Sequence, residues 1–305
     1  MSRCAEKNHF AWAEIGIVGV GPCGIDVVCA LARQGRNPAQ WLCAIDDDPA
    51  QLERAIGTQR FVAVEQRASA KRNRFIRPHH LQVRLPDLDD LAIRLRDACL
   101  IVVVADIDAR PELARRVAAI CHEQQSLTIG IGVTATVRSG NAGRDAFVQV
   151  CPTSFWSEPW PLLPRLVTTI EDGVSDPHRS DVIALVSALV DPLHALGPIG
   201  FSYDDLAVVV GNSDCARFAV ASDTGPDRSL RVARQLVAAA KTGENSLATA
   251  SNLYLSVFGG EDMTLHEINA VAVAVHDATN DDANIIFNSV VVDQKAELTA
   301  VLCWG

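Results

Sequence analysis

From Glu14 to Val20 the chain is apolar with little alternation and ends among glycines, the pattern of a short strand buried on both faces of a parallel sheet. Apolar positions then recur at helical spacing from Ile25 to Gln34 and stop at Gly35. Trp41 to Ile45 is a second apolar run, closed by Asp46-Asp47-Asp48, with Pro49 at a natural first helical position. Cys99 to Ala105 predicts a third strand, Glu112 to Gln124 a helix and Leu127 to Val133 a fourth strand. Strand and helix alternate, so this half predicts an α/β fold with a parallel sheet covered on both faces.

The pattern loosens after that. Cys151 to Pro164 carries four prolines together with Trp156 and Trp160 and reads as a loop packed by its own aromatics. Val182 to Leu196 reads as a strongly apolar helix broken at Pro192. Beyond it come a strand at Ala216 to Ala221, a helix at Asp227 to Ala240, a strand at Ser251 to Phe258 and a helix at Leu265 to Ala278. Two closely joined strands, Asn284 to Val291 and Glu297 to Cys303, complete the series and imply a mixed sheet. The expected organisation is a nucleotide-binding-type domain over 1–179, a core helix and connecting loop over 180–200, and a smaller α/β domain over 201–305.

Composition narrows the function classes. Of 305 residues 49% are apolar, and 27 Lys and Arg stand against 37 Asp and Glu, a net charge of −10. Such a surface repels phosphate backbones and anionic lipid, so neither a nucleic-acid partner nor direct membrane binding is expected. No apolar run approaches the roughly 20 residues of a membrane span. Met1 to Trp12 lacks the apolar segment of a secretory signal. The expectation is a soluble, cytoplasmic protein. The nine cysteines form no CxxC pair and the histidines no HExxH, so buried reduced thiols are expected and no metal site. One stretch departs from the acidic average. Between Arg60 and Arg84 lie Arg67, Lys71, Arg72, Arg74 and Arg77 against Glu65 alone, a solvated loop or an anion or partner patch.

The candidate chemistry sits after the first strand. Gly19-Val20-Gly21-Pro22-Cys23-Gly24 fits GxGxxG at a strand-to-helix turn, where glycines allow tight backbone approach and a helix start offers N–H groups to phosphate. Asp46 lies 22 residues beyond Gly24, where a dinucleotide fold places its ribose-binding acid. Close strand–helix packing alone would explain the same glycines.

Phe258-Gly259-Gly260-Glu261-Asp262-Met263-Thr264-Leu265-His266-Glu267-Ile268-Asn269, followed by Asp282-Ala283-Asn284-Ile285-Ile286-Phe287, resembles the GGxDLSLxEVN and DPDANIIFG segments of the FtsZ family, bacterial tubulin homologues. Ala219 to Arg228 is similar to the family's GxGxASGEDRA segment, Ala44 to Asp48 to its AVNTD, and Gly19 to Gly24 to its GVGGGGGNA. The resemblance covers nearly the whole chain and is strongest from 198 to 290. It implies a tubulin/FtsZ-like fold: a parallel-sheet nucleotide-binding domain, a long core helix and a smaller C-terminal α/β domain with a mixed sheet. It also implies GTP or GDP as the cofactor and head-to-tail assembly into homo-oligomers or filaments.

The inherited chemistry is interrupted at several points. Where the family's GGGTGTG cradles phosphate after the third strand, this chain has Asp106-Ile107-Asp108-Ala109-Arg110-Pro111-Glu112, without a glycine. Side chains take the place of main-chain amides there, and three acids would sit beside phosphate. The catalytic NxDxxD aligns with Gly200 to Asp205, leaving Asp205 as a remnant, so no catalytic residue is assigned. The basic stretch replaces GAGANP, and Pro22 removes a donor from the first loop. The residues assigned to a retained nucleotide site are Gly19, Gly21, Gly24, Asp46, Asp48, Arg110 and Asp181, the last as the candidate that the resemblance implies for the family's purine-side Asp on the core helix. Asp46 and Asp48 read equally as ribose contacts or helix caps. Asp205 reads as a helix cap or a subunit contact.

The leading expectation is a catalytically degenerate FtsZ-like protein that acts through self-assembly or by modulating an FtsZ-type polymer. A GTP-binding enzyme with a rebuilt phosphate site, in which Arg110 or the basic patch replaces the glycines, stands as the alternative. A dinucleotide-dependent oxidoreductase stands as the third reading. Because the sequence stops at Gly305, just past its last strand, tethering through a C-terminal peptide is not expected.

Overall fold

The computed structural model describes residues 15–34, 41–57, 80–84, 88–107, 109–124, 126–137, 144–152, 177–194, 197–211, 217–240, 247–292 and 296–304. They fall in two compact units, and the division lies between Ile183 and Ala184.

The first unit is built on a six-stranded sheet ordered β3-β2-β1-β4-β5-β6. Its strands are β1 (Ile15–Val20), β2 (Trp41–Ile45), β3 (His80–Arg84), β4 (Leu100–Asp106), β5 (Leu127–Val137) and β6 (Arg144–Pro152). The first five run parallel, and β6 returns antiparallel to β5. Every residue of β1 is buried, and since successive side chains point to opposite faces, both faces of the sheet are covered at its centre. Helices α1 (Gly21–Gln34), α2 (49–57), α3 (Asp89–Leu95) and α4 (Pro111–His122) connect the strands.

β3, β6 and α3 are absent from the sequence-based expectation. β3 ends the basic stretch, and its neighbours 58–79 lie outside the described residues. Cys151 and Pro152 close β6; the rest of the segment expected as an aromatic loop lies outside the described residues. Helix α1 starts at Gly21, four residues earlier than the periodicity predicts, because Pro22, Cys23 and Gly24 of the glycine loop already belong to its first turn.

α5 (Pro177–Val190) also starts earlier than expected and ends before Pro192, passing into a single 3-10 turn at Asp191–Leu193. Proline cannot donate to the carbonyl four residues back, which here belongs to Ala188. That carbonyl accepts instead from the Tyr254 hydroxyl.

The second unit carries a four-stranded mixed sheet ordered β7-β10-β8-β9, with β7 (Arg217–Thr224), β8 (Asn252–Gly259), β9 (Asn284–Val291) and β10 (Glu297–Trp304). β10 is antiparallel to both β7 and β8, whereas β8 and β9 are parallel. Helices α6 (Tyr203–Gly211), α7 (Arg228–Ala240) and α8 (Leu265–His276) complete it. α7 and α8 bury Val232, Leu236, Ile268, Val271 and Val275 in one core with Leu253, Leu255, Val257, Leu298, Ala300 and Leu302 of the sheet.

The segment carrying the family resemblance is explained by local physics. Thr264 caps α8 by accepting from the Glu267 N–H at 3.2 Å, while Glu267 accepts from the Thr264 N–H at 2.9 Å, a closed capping box. Glu267 also receives buried Arg228, whose Nε donates at 2.7 Å, and Arg228 reaches the Ala296 carbonyl at 2.8 Å. A side chain at Gly259 would stand 2.7 Å from Met263.

Among the described residues Cys23, Cys29, Cys43, Cys121 and Cys303 carry unoxidised thiols, but Cys99 is disulfide-bonded, which corrects the expectation for that residue. Spacing along the chain does not reveal sulfurs that folding brings together. No helix among the described residues is long and apolar enough to cross a membrane.

Candidate functional site

Strand order reverses at β1, with β2 on one side and β4 on the other. In open α/β sheets such a switch point, at the carboxyl ends of the strands, is where ligands bind. Register places Val20 beside Ile45 and beside Ala105. Three segments therefore leave the sheet together: the glycine loop, Asp46-Asp47-Asp48 and the turn Asp106 to Arg110.

Each glycine has a packing reason. A β-carbon at Gly19 would lie 2.2 Å from the Gly24 carbonyl oxygen, and one at Gly24 would lie 2.3 Å from the Val104 carbonyl oxygen. These two glycines let α1 sit directly against β1 and β4. Gly21 has φ +74, a conformation that costs other residues energy. In a dinucleotide fold the middle glycine leaves room for pyrophosphate. Here a β-carbon at Gly21 would meet Arg110 Cγ and Asp106 Cβ, each at 3.1 Å.

The turn that brings Arg110 there is organised by its own sequence. The Asp106 carboxylate accepts from the Ala109 N–H at 2.9 Å, and its carbonyl accepts from the Arg110 N–H at 3.0 Å. Pro111 then opens α4. Arg110 Nε donates to Asp46 Oδ1 at 2.8 Å and lies 2.5 Å from Asp47 Oδ1. Its two terminal nitrogens are 2.9 Å from the Ala109 carbonyl oxygen and 3.9 Å from Asp48 Oδ2. The hydrogen bond to Asp46 raises the guanidinium's pKa further above its ordinary value, with the neighbouring carboxylates adding to it.

Asp46 is fully buried. Oδ1 accepts from the Asp48 N–H at 2.8 Å as well as from Arg110, whereas Oδ2 is buried with no hydrogen-bond partner. Asp48 caps α2, accepting from the Ala50 N–H at 2.9 Å. Asp48 thus caps α2, and Asp46 holds Arg110.

Two further residues singled out in the sequence are Asp181 and Asp205. Asp181 is half-buried on α5, two residues from Arg179, which donates to the Asp26 carbonyl of α1 at 3.2 Å. The Asp26 carboxylate pairs with Arg54 of α2 and lies 3.8 Å from Arg179. Asp205 accepts from the Ser202 hydroxyl at 2.6 Å and from the Ser202 N–H at 2.9 Å, and its own N–H donates to the Ser202 hydroxyl at 3.2 Å. That is the capping box of α6. Sequence reasoning misses Asp26, Arg54 and Arg179 as a group. The signal was an acid on the first helix and two arginines on distant helices, which only the fold unites.

Groups suited to other chemistries are not gathered. Among the described residues no cluster of three His, Cys, Asp or Glu side chains is placed to hold a metal. Burial pushes the Cys303 thiol up to about 12, so it is no nucleophile near neutral pH.

Comparison with known proteins agrees with this architecture. The FtsZ family C-terminal domain matches residues 215–303. The cell division protein FtsZ of Caulobacter vibrioides is 33% identical over 104 residues, which make up 34% of this chain and 20% of that relative. The aligned stretch thus spans about a fifth of the length of the curated relative. An FtsZ mutant from M. jannaschii superimposes with a TM-score of 0.67 at 15% identity, covering 96% of this chain and 90% of that one. An empty FtsZ dimer from M. jannaschii gives 0.56 at 14% identity, over 99% and 90%. A GTPγS-bound protofilament of CetZ2 from Haloferax volcanii gives 0.55 at 13% identity, over 96% and 92%. The chain has an FtsZ-like fold, and residues 215–303 of its second unit are FtsZ-like in sequence as well.

Proposed function

We propose that this chain is a catalytically degenerate FtsZ-like protein that works through assembly, as a homo-oligomer or filament or by modulating an FtsZ-type polymer, and that it neither grips nor cleaves GTP. The observation that carries this reading is the contact of Arg110 and Asp106 with Gly21, together with the Arg110 guanidinium on Asp46, Asp47 and Asp48. The family resemblance puts phosphate at this glycine and against the turn after β4. Here side chains stand there, and among the described residues the charged groups paired with Arg110 are the carboxylates of Asp46, Asp47 and Asp48, which repel an anionic ligand.

A second ion cluster supports the same reading at the far end of the site. The resemblance puts the purine beside the core helix, and Arg179 of that helix is bonded to Asp26 of α1. Asp205, the remnant of the hydrolytic loop, has its carboxylate committed to capping α6.

Assembly needs shape and packing rather than catalysis. The unit best matched to FtsZ in sequence is the second one, and structural relatives include a dimer and a protofilament. The test is sedimentation and negative-stain microscopy of the purified protein, alone and with an FtsZ-type polymer, with and without GTP. The reading expects assembly or co-sedimentation that is indifferent to GTP. Polymers that form only with GTP, with steady phosphate release, would overturn it.

A further inference from the structure

We propose that the end of β2 and the turn after β4 form a guanidinium site, which this chain fills in cis with Arg110. The inference rests on the reading that phosphate is not bound here, and it names the chemistry the site accepts instead.

Asp46 is 0% exposed, and one of its carboxylate oxygens has no hydrogen-bond partner. Burying a carboxylate oxygen without a donor is costly, so a cation held on the other oxygen, as Arg110 is, offsets part of that cost. Among the described residues, Asp47 and Asp48 bring the carboxylates paired with Arg110 to three. A planar, weakly hydrated cation with several fixed donors suits such a cradle better than a compact, strongly hydrated ammonium. A divalent metal does not fit, because no metal-holding group of side chains exists among the described residues.

The cradle is also shaped in advance. The Asp106 turn sets the Arg110 backbone, Asp48 is fixed as a helix cap, and Gly21 provides a floor against which the Arg110 stem packs. The guanidinium therefore plays the structural part that a bound ligand plays in an open site. It ties the end of β2 to the turn after β4, while the stem of Arg110 packs on Gly21 at the start of α1.

Chemical rescue tests this. Arg110→Ala removes the head and part of the stem, whereas Arg110→Met keeps a stem over Gly21 and removes the charge and fork alone. Thermal unfolding of both variants is followed with methylguanidinium chloride at millimolar concentration, with urea and sodium chloride as controls. Each variant is expected to melt roughly 3–8 °C below the parent. Methylguanidinium should recover part of that loss saturably, with no recovery in the controls, no gain in the parent and none in the Arg110→Ala/Asp46→Asn double variant. If Arg110→Ala does not fold, Arg110→Met carries the test. An absence of saturable recovery, or an equal gain in the parent, overturns the guanidinium site. Calorimetry with GTP separates the two claims: tight GTP binding by the parent overturns the proposed function, whereas failed rescue without GTP binding overturns this inference alone.

Discussion

Gly21 and Arg110, 89 positions apart in the sequence, are in contact: a β-carbon on the glycine would lie 3.1 Å from the arginine Cγ. The space left by the middle glycine of a phosphate-loop pattern is thus lined by the chain's own aliphatic stem. All three glycines of the pattern sit where a β-carbon would meet neighbouring atoms.

Replacing Gly21 by alanine should therefore cost stability. The new residue would have to adopt φ near +74 and press on Arg110 and Asp106. The expected loss is about 1–2 kcal/mol, read from urea unfolding of the purified variant. Gly57→Ala, where a β-carbon meets nothing within 4 Å, is the control and should lose nothing.

Tyr254→Phe should destabilise the second unit by about 1–3 kcal/mol. The hydroxyl is buried, donates to Ala188 and accepts from Asn288 Nδ2 at 2.8 Å, and Asn288 in turn accepts from Ser256 at 2.7 Å. Removing it leaves a carbonyl that Pro192 cannot serve and an amide donor without its acceptor. Hydrogen exchange should show faster opening at the end of α5; unchanged exchange and stability would contradict the role.

Acid should loosen the second unit through Glu267. Its pKa is lowered by hydrogen bonds from Arg228 first, and further by the Thr264 N–H. A depressed folded-state value means that this stabilisation is fully present above the ordinary glutamate range and is lost as pH falls through the lowered value. Arg231 holds Asp223 below its ordinary value in the same way. Stability measured from pH 7 downward should decline through the carboxylate range, and Glu267→Gln should decline less steeply. Parallel curves would contradict the assignment.

Asp205→Ala should remove the α6 capping box and cost about 1 kcal/mol. If the residue acts only as a cap, the variant should assemble to the same extent as the parent when both are assayed below their unfolding transitions.

Much of the architecture was legible because buried parallel strands and amphipathic helices write their period into the sequence. β1, β2, β5, α4, α7 and α8 follow from it to within a few residues. β3 was hidden because His80-Leu81-Gln82-Val83-Arg84 is a short alternating edge strand beside a run of arginines, and charge dominates such a window. β6 was hidden because it leads into a proline-rich segment. At the site, the glycine pattern and the acids at the end of β2 were both legible, but not the pairing between them. Asp46 and Arg110 stand 64 positions apart, and no local pattern tells whether an arginine faces a ligand or a carboxylate. The capping role of Asp48 was visible because it is written within three residues, Asp48-Pro49-Ala50.

The most direct test of the account is phosphate release and sedimentation measured on the same purified sample with saturating GTP, GDP and no nucleotide. The account predicts equal pelleted fractions in all three and phosphate release no faster than the buffer blank. GTP-dependent pelleting accompanied by sustained turnover would contradict it.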